Sequence, residues 1–189
     1  MMAVGKEANE ARSLDWKDLR AYRFSFWLVV ASNTVYFFTL IMTKLLMAPG
    51  AVPSQVNQWL AMALTILMVG SVFHARSSLS LFRKGELQAS RRQLRFGAIV
   101  GTLILIGGFV EWASSRLAPG SSYGQSYYAL SGLMYLELFV GAAALWSTSL
   151  RPRFEKFRTD NHWGLEMPVL FWQYLTLAWV VVYVVLYIV

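Results

Sequence analysis

YGQSYYALSGLMYLELFVGAAALWSTSLR, Tyr123 to Arg151, decides the fold of this chain. From Ser126 to Leu150 the side chains are mostly apolar, over a length sufficient to cross a ~30 Å hydrocarbon core as a helix. Glu137 interrupts the run, thirteen residues from its basic end, about 20 Å at 1.5 Å per residue. A carboxyl group at that depth costs roughly 2.5–3.5 kcal/mol to insert, so it is expected to face other helices.

Outward from this stretch the pattern repeats. Apolar segments cover about 24–47, 57–81, 96–117 and 168–189, which with 126–150 makes five. Each reaches the ~20 residues a crossing helix needs. Of the 189 residues 57% are hydrophobic and only 14% charged, against about 25% charged in a soluble domain. The expected fold is all-α: one polytopic membrane domain, a bundle of five transmembrane helices over residues 24–189. Residues 1–23 are a polar cytoplasmic segment in which Ser13 is a candidate cap for a short interfacial helix. The first apolar run is too long for the core of a secretory signal peptide, so none is expected.

The net charge of +7 does not point to nucleic acid. Fifteen of the 17 basic residues fall in the N-terminal segment and in the second-to-third and fourth-to-fifth connections, leaving only Lys44 and Arg116 for the other side. Positive charge of this kind sets topology, placing the N-terminus in the cytoplasm and the C-terminus in the periplasm of a bacterial inner membrane. Lys44 and Arg116 are expected to snorkel to the headgroups, and Trp27, Trp59, Trp112, Trp146 and Trp172 to form an interfacial belt.

Cysteine is absent, and His74 and His162 are the only histidines, both toward the basic side. Haem or copper within a membrane needs imidazoles converging from helix interiors, so no cofactor or metal is expected on this chain. No nucleophile–base pair is visible, and the chain is not expected to be an enzyme by itself. The intramembrane polar candidates are Asn33, Glu137, Glu111 and Gln173. Tilt would bring Asn33 and Glu137 to one level for a hydrogen bond; alternatively Glu137 binds a Ser, Tyr or backbone group and fixes helix packing. Glu111, near the outer end of the third segment, is expected within reach of water and Arg116. Gly97 and Gly101, with Gly107, Gly108 and Gly141, allow close helix packing. Pro168 suits the first turn of the fifth helix. Phe171, Trp172, Trp179 and Tyr183 offer a broad surface to a partner or lipid.

The order of these features resembles subunit III of the haem–copper cytochrome c and quinol oxidases, in a short five-helix form. FSFWLVVASNTVYFF is similar to the family's Phe-Trp, Ser-acid and following aromatic, and Gly108-Phe-Val-Glu-Trp112 to its Glu-Tyr. Tyr128 to Gly141 stands where the family has Ala-x-x-Gly-x-His-Gly-Leu-His-Val-x-x-Gly. Phe171 to Trp179 resembles Tyr/Phe-Trp-His-Phe-x-Asp-x-x-Trp. The departures are systematic. Met134 and Glu137 replace the fourth-helix histidines, Gln173 and Thr176 the fifth-helix His and Asp, and Asn33 the first-helix acid. The resemblance implies an accessory subunit of a proton-translocating oxidase in aerobic electron transport. Its partners would be the catalytic subunit I, which carries the haem and copper, further oxidase subunits, and phospholipid. The alternatives are a component of a nitric oxide reductase complex, or a small transporter or channel.

Overall fold

The computed structural model describes residues 2–50, 52–150 and 163–189. Among these the chain is all helical: α1 Met2–Met47, α2 Gln58–Arg83, α3 Leu87–Ser114, α4 Ser122–Leu150 and α5 Trp163–Tyr187. Each contains a stretch long and apolar enough to cross a membrane, the first beginning at Arg20. Arg151, Arg153, Lys156, Arg158 and His162 lie outside the described residues.

Residues up to Val35 form one compact unit and Tyr36–Val189 a second. In the first, the backbone is helical from Met2 with no start at Ser13. Alanine, glutamate, lysine and arginine dominate positions 3–12, and their helix propensity carries the turn upstream of the expected cap.

In the second unit α2 packs on α3, α3 on α4, α4 on α5, and α5 back on α2. Neighbours in this ring are antiparallel. The apolar side chains at the end of α1, Phe37, Leu40 and Ile41, pack against the same core. The inward face of α4 reads Tyr127, Leu130, Met134, Leu138, Gly141 and Leu145, a helical stripe of buried positions. Its outward residues, such as Leu136 and Phe139, are exposed, as expected where hydrocarbon replaces water.

Indole N–H groups cross between helices to hydroxyls. Trp172 donates to Ser71 Oγ at 2.8 Å and Trp179 to Thr65 Oγ1 at 2.9 Å, joining α5 to α2. Trp146 donates to Thr102 Oγ1 and Trp112 to Ser131 Oγ, each at 3.1 Å, joining α4 and α3. Trp172 is fully buried at 0% exposure, so it does not belong to an interfacial belt; Trp59, at 78%, is free to. The expected open surface on α5 is corrected in the same way, since Trp179 is buried as well. Both indoles turn into the bundle, and the face that α5 exposes carries Leu177, Val181 and Val184 instead.

The glycines explain how Trp172 fits. A Cβ on Gly101 would lie 2.7 Å from its Cη2, and one on Gly141 would lie 3.1 Å from its Cε3. Gly108 leaves room for the Tyr135 ring in the same manner, whereas Gly97 has nothing within 4 Å of an added Cβ. The small residues therefore serve as sockets for aromatic side chains, and the Gly97-to-Gly101 pair does not act as one contact.

Pro168 lies inside α5 rather than in its first turn, because the helix begins upstream at Trp163. The residue four positions back, whose carbonyl a proline ring crowds, is Gly164. At the basic end of the bundle Arg83 Nη2 stands 3.8 Å from Glu166 Oε1, a loose, partly exposed pair of little energetic weight. His74 donates from Nδ1 to Gln93 Oε1 at 2.7 Å and lies against Phe96, which closes the α2–α3 hairpin.

Candidate functional site

The polar centre of the second unit is Glu111. Its position in the last turn of α3 turns the side chain into the bundle, where it is 2% exposed. Three tyrosine hydroxyls converge on the carboxylate. Tyr187, in the last turn of α5, donates to Oε1 at 2.6 Å; Tyr127 of α4 donates to the same oxygen at 3.1 Å; Tyr135 of α4 donates to Oε2 at 2.9 Å. Tyr127 and Tyr135 are eight residues apart on α4, about two turns, and so present both hydroxyls on one face. An ionised carboxylate is acceptor-only with about four lone-pair directions. The three hydroxyls here occupy both carboxyl oxygens.

The same end of the unit holds two further cross-links. Gln58 Nε2 donates to the Tyr187 carbonyl at 2.8 Å, and the Tyr123 hydroxyl donates to the Leu186 carbonyl. The last carbonyls of a helix have no intrahelical partner, and here α2 and α4 supply two donors. The cluster thus ties α2, α3, α4 and α5 together at one end.

The candidates are placed as follows. Glu111 does not reach Arg116; burial against the tyrosines replaces the expected contact with water and that guanidinium, because three phenols meet its hydrogen-bonding needs in the interior. Glu137 lies on α4 at the edge of the buried stripe, half-buried and engaged in an interaction. Asn33 belongs to the first unit and is half-buried. Gln173 is half-buried on α5 beside the Trp172 socket, and the Thr176 hydroxyl donates to the Trp172 carbonyl at 2.9 Å. Met134, at the other departure from the family pattern, is fully buried in the core.

Lys44 does not snorkel. It is 1% exposed, with Nζ 5.7 Å from the centroid of the Tyr123 ring, because the first turn of α4 covers it. A cation over an aromatic face gains on the order of 0.5–2 kcal/mol, more when desolvated.

The tyrosines are what the sequence reading missed. Tyr127 and Tyr135 share a helical face antiparallel to α3, and Tyr187 lies in the closing turn of α5; that spacing is the available signal. Beside the cluster is a cavity of about 660 Å³. Glu111 and Tyr127 form part of its wall, and the 52–57 connection, Trp59, Ser114 and Arg116 line the rest. Among the described residues no three side chains of metal-binding type converge.

Comparison with known proteins agrees with the resemblance drawn from Phe24 onward. The family model described as Cytochrome c oxidase subunit III matches residues 17–189. The chain is similar to the probable cytochrome c oxidase subunit 3 of Mycobacterium tuberculosis (strain H37Rv), 20% identical over 139 residues that cover 71% of this chain and 68% of the relative. It is also similar to cytochrome c oxidase subunit 3 of Thermostichus vulcanus, 20% identical over 126 residues, 66% of this chain and 63% of that one. At this identity most side chains differ, yet the match runs through all five apolar helices; the chain belongs to the cytochrome c oxidase subunit III family.

Proposed function

We propose that this multi-pass membrane protein is the accessory subunit III of a respiratory haem–copper oxidase of the cytochrome c oxidase type. The observation that carries the reading is the family match across residues 17–189. The family is that of a non-catalytic oxidase subunit, so association with other oxidase subunits comes with membership. The finer reading is that the bundle buttresses subunit I, which holds the haem and copper, orders lipid around it and supports its proton uptake. The chain would lie in a bacterial inner membrane, N-terminus in the cytoplasm and C-terminus in the periplasm, on the strength of its basic connections. An interior of apolar contacts, indole–hydroxyl bonds and one carboxylate cluster supports a stiffening role, since satisfied polar networks rigidify the elements they join.

The test is purification of the tagged chain in mild detergent, followed by a haem spectrum and a mass-spectrometric subunit inventory. A much larger haem- and copper-bearing oxidase subunit is expected in the eluate. A nitric oxide reductase catalytic subunit there would move the chain to that complex. A stable monomer without any haem protein would overturn the assignment.

A further inference from the structure

Two buried hydroxyls at the basic end of the bundle stay outside the cross-links between helices. Ser78 Oγ on α2 and Ser90 Oγ on α3, both residues at 0% exposure, have no hydrogen-bond partner among the described residues. Other buried hydroxyls of this chain turn back on their own helix: Ser71, Ser131, Ser149 and Thr176 each donate to the carbonyl three or four residues earlier. Ser78 and Ser90 do not, although such back-bonding is open to any helical serine. Their positions oppose each other. His74 bonds to Gln93 across the α2–α3 hairpin; one turn nearer its tip, four residues on in α2 and three back in α3, stand Ser78 and Ser90. Ala75 and Phe82 on α2 and Leu94 on α3 lie a turn away on the same faces and are buried, which closes the place to bulk solvent.

We propose that Ser78 and Ser90 hold an internal water molecule that bridges α2 and α3. Each hydroxyl donates to the water oxygen. The water's own protons go to the carbonyls of His74 and Glu86, four residues back on each helix, since a carbonyl that accepts a helical amide keeps a second lone pair. A buried water needs about two to four polar partners, and this arrangement supplies them. An ion suits the place less well, because neither hydroxyl brings a charge and burying an unpaired ion costs far more than burying a neutral molecule. With the His74–Gln93 bond, the water gives the hairpin polar ties in two successive turns. The site belongs to the interior of this chain and does not depend on the subunit reading.

The experiment is X-ray radiolysis of the intact complex containing this chain, in mild detergent. Radiolysis turns bound waters into hydroxyl radicals that oxidise the side chains beside them, and mass spectrometry locates the oxidised residues. Phe82 and Leu94 are expected to be oxidised well above Phe37 and Leu138, buried side chains of the same two types. In the double variant Ser78→Ala, Ser90→Ala their oxidation should fall at least about tenfold, the factor for losing two neutral hydrogen bonds to the water. Removing both hydroxyls together leaves an apolar contact of nearly the same shape, so the variant is expected to fold. A density map of the unsubstituted complex, with a peak within hydrogen-bonding distance of both Oγ atoms, supports the site independently of any variant. Oxidation of Phe82 and Leu94 no greater than that of Phe37 and Leu138, or undiminished in the double variant, would overturn the proposal. So would a map in which the two hydroxyls bond directly to each other or to their own helices.

Discussion

Glu111 shows what a single residue can anchor. Its two oxygens accept hydroxyls from α4 and α5 while its backbone belongs to α3, so removing it strands three buried phenols at once. Glu111→Leu should therefore destabilise the subunit by about 2–4 kcal/mol, because it leaves three buried hydroxyls without their acceptor. Tyr187→Phe, which removes one donor and leaves two, should cost about 1 kcal/mol. Thermal unfolding of the purified complex, followed through loss of this chain, measures both. Equal stability of Glu111→Leu and wild type would mean that the cluster bears no structural weight. At this scale the sequence was a poor guide. Glu111 and Glu137 are both carboxyls in apolar helices, and depth alone made Glu137 the more conspicuous. What each of them meets depends on what the neighbouring helices bring, and α4 and α5 bring three tyrosines to Glu111.

Among elements, the decisive fit is that of the Trp172 side chain of α5 between α3 and α4. Trp172 seats its indole against Gly101 and Gly141 and ties back to Ser71 on α2. Gly101→Ala places a methyl 2.7 Å from Trp172 Cη2, an overpacking expected to cost about 1–3 kcal/mol. Gly97→Ala meets nothing within 4 Å and should stabilise α3 by roughly 0.5–1 kcal/mol through helix propensity. Opposite signs for two glycines one turn apart, read as unfolding midpoints in detergent, distinguish a socket for Trp172 from a helix-dimer motif. Destabilisation of similar size at both would favour the motif. The sequence made small residues on facing helices legible as packing sites, but not what they accommodate. The tryptophans were read as an interfacial belt because composition favours that place for an indole. A serine at the right level on α2 makes the interior equally acceptable to Trp172 by satisfying its N–H.

For the whole molecule, topology is the property that the charge distribution governs. The chain has no cysteine, so single introduced thiols report sidedness without background. Ser54→Cys, in the neutral first-to-second connection, should react with a membrane-impermeant maleimide in intact cells. Lys84→Cys, in the basic second-to-third connection, should react only after permeabilisation, and the reverse pattern would invert the assigned orientation.

Five crossings, the poverty of metal ligands and the family likeness were contained in the sequence, because apolar length, charge count and motif order are properties of a string and need no neighbours. The fold alone decided that Glu111 is held by Tyr127, Tyr135 and Tyr187, that Lys44 lies beneath Tyr123, and that Trp172 is interior. Each of these depends on the rotation of a helix about its own axis. Rotation is set by how large side chains fit small ones across an interface, and nothing in one helix's sequence states which face its neighbours will occupy.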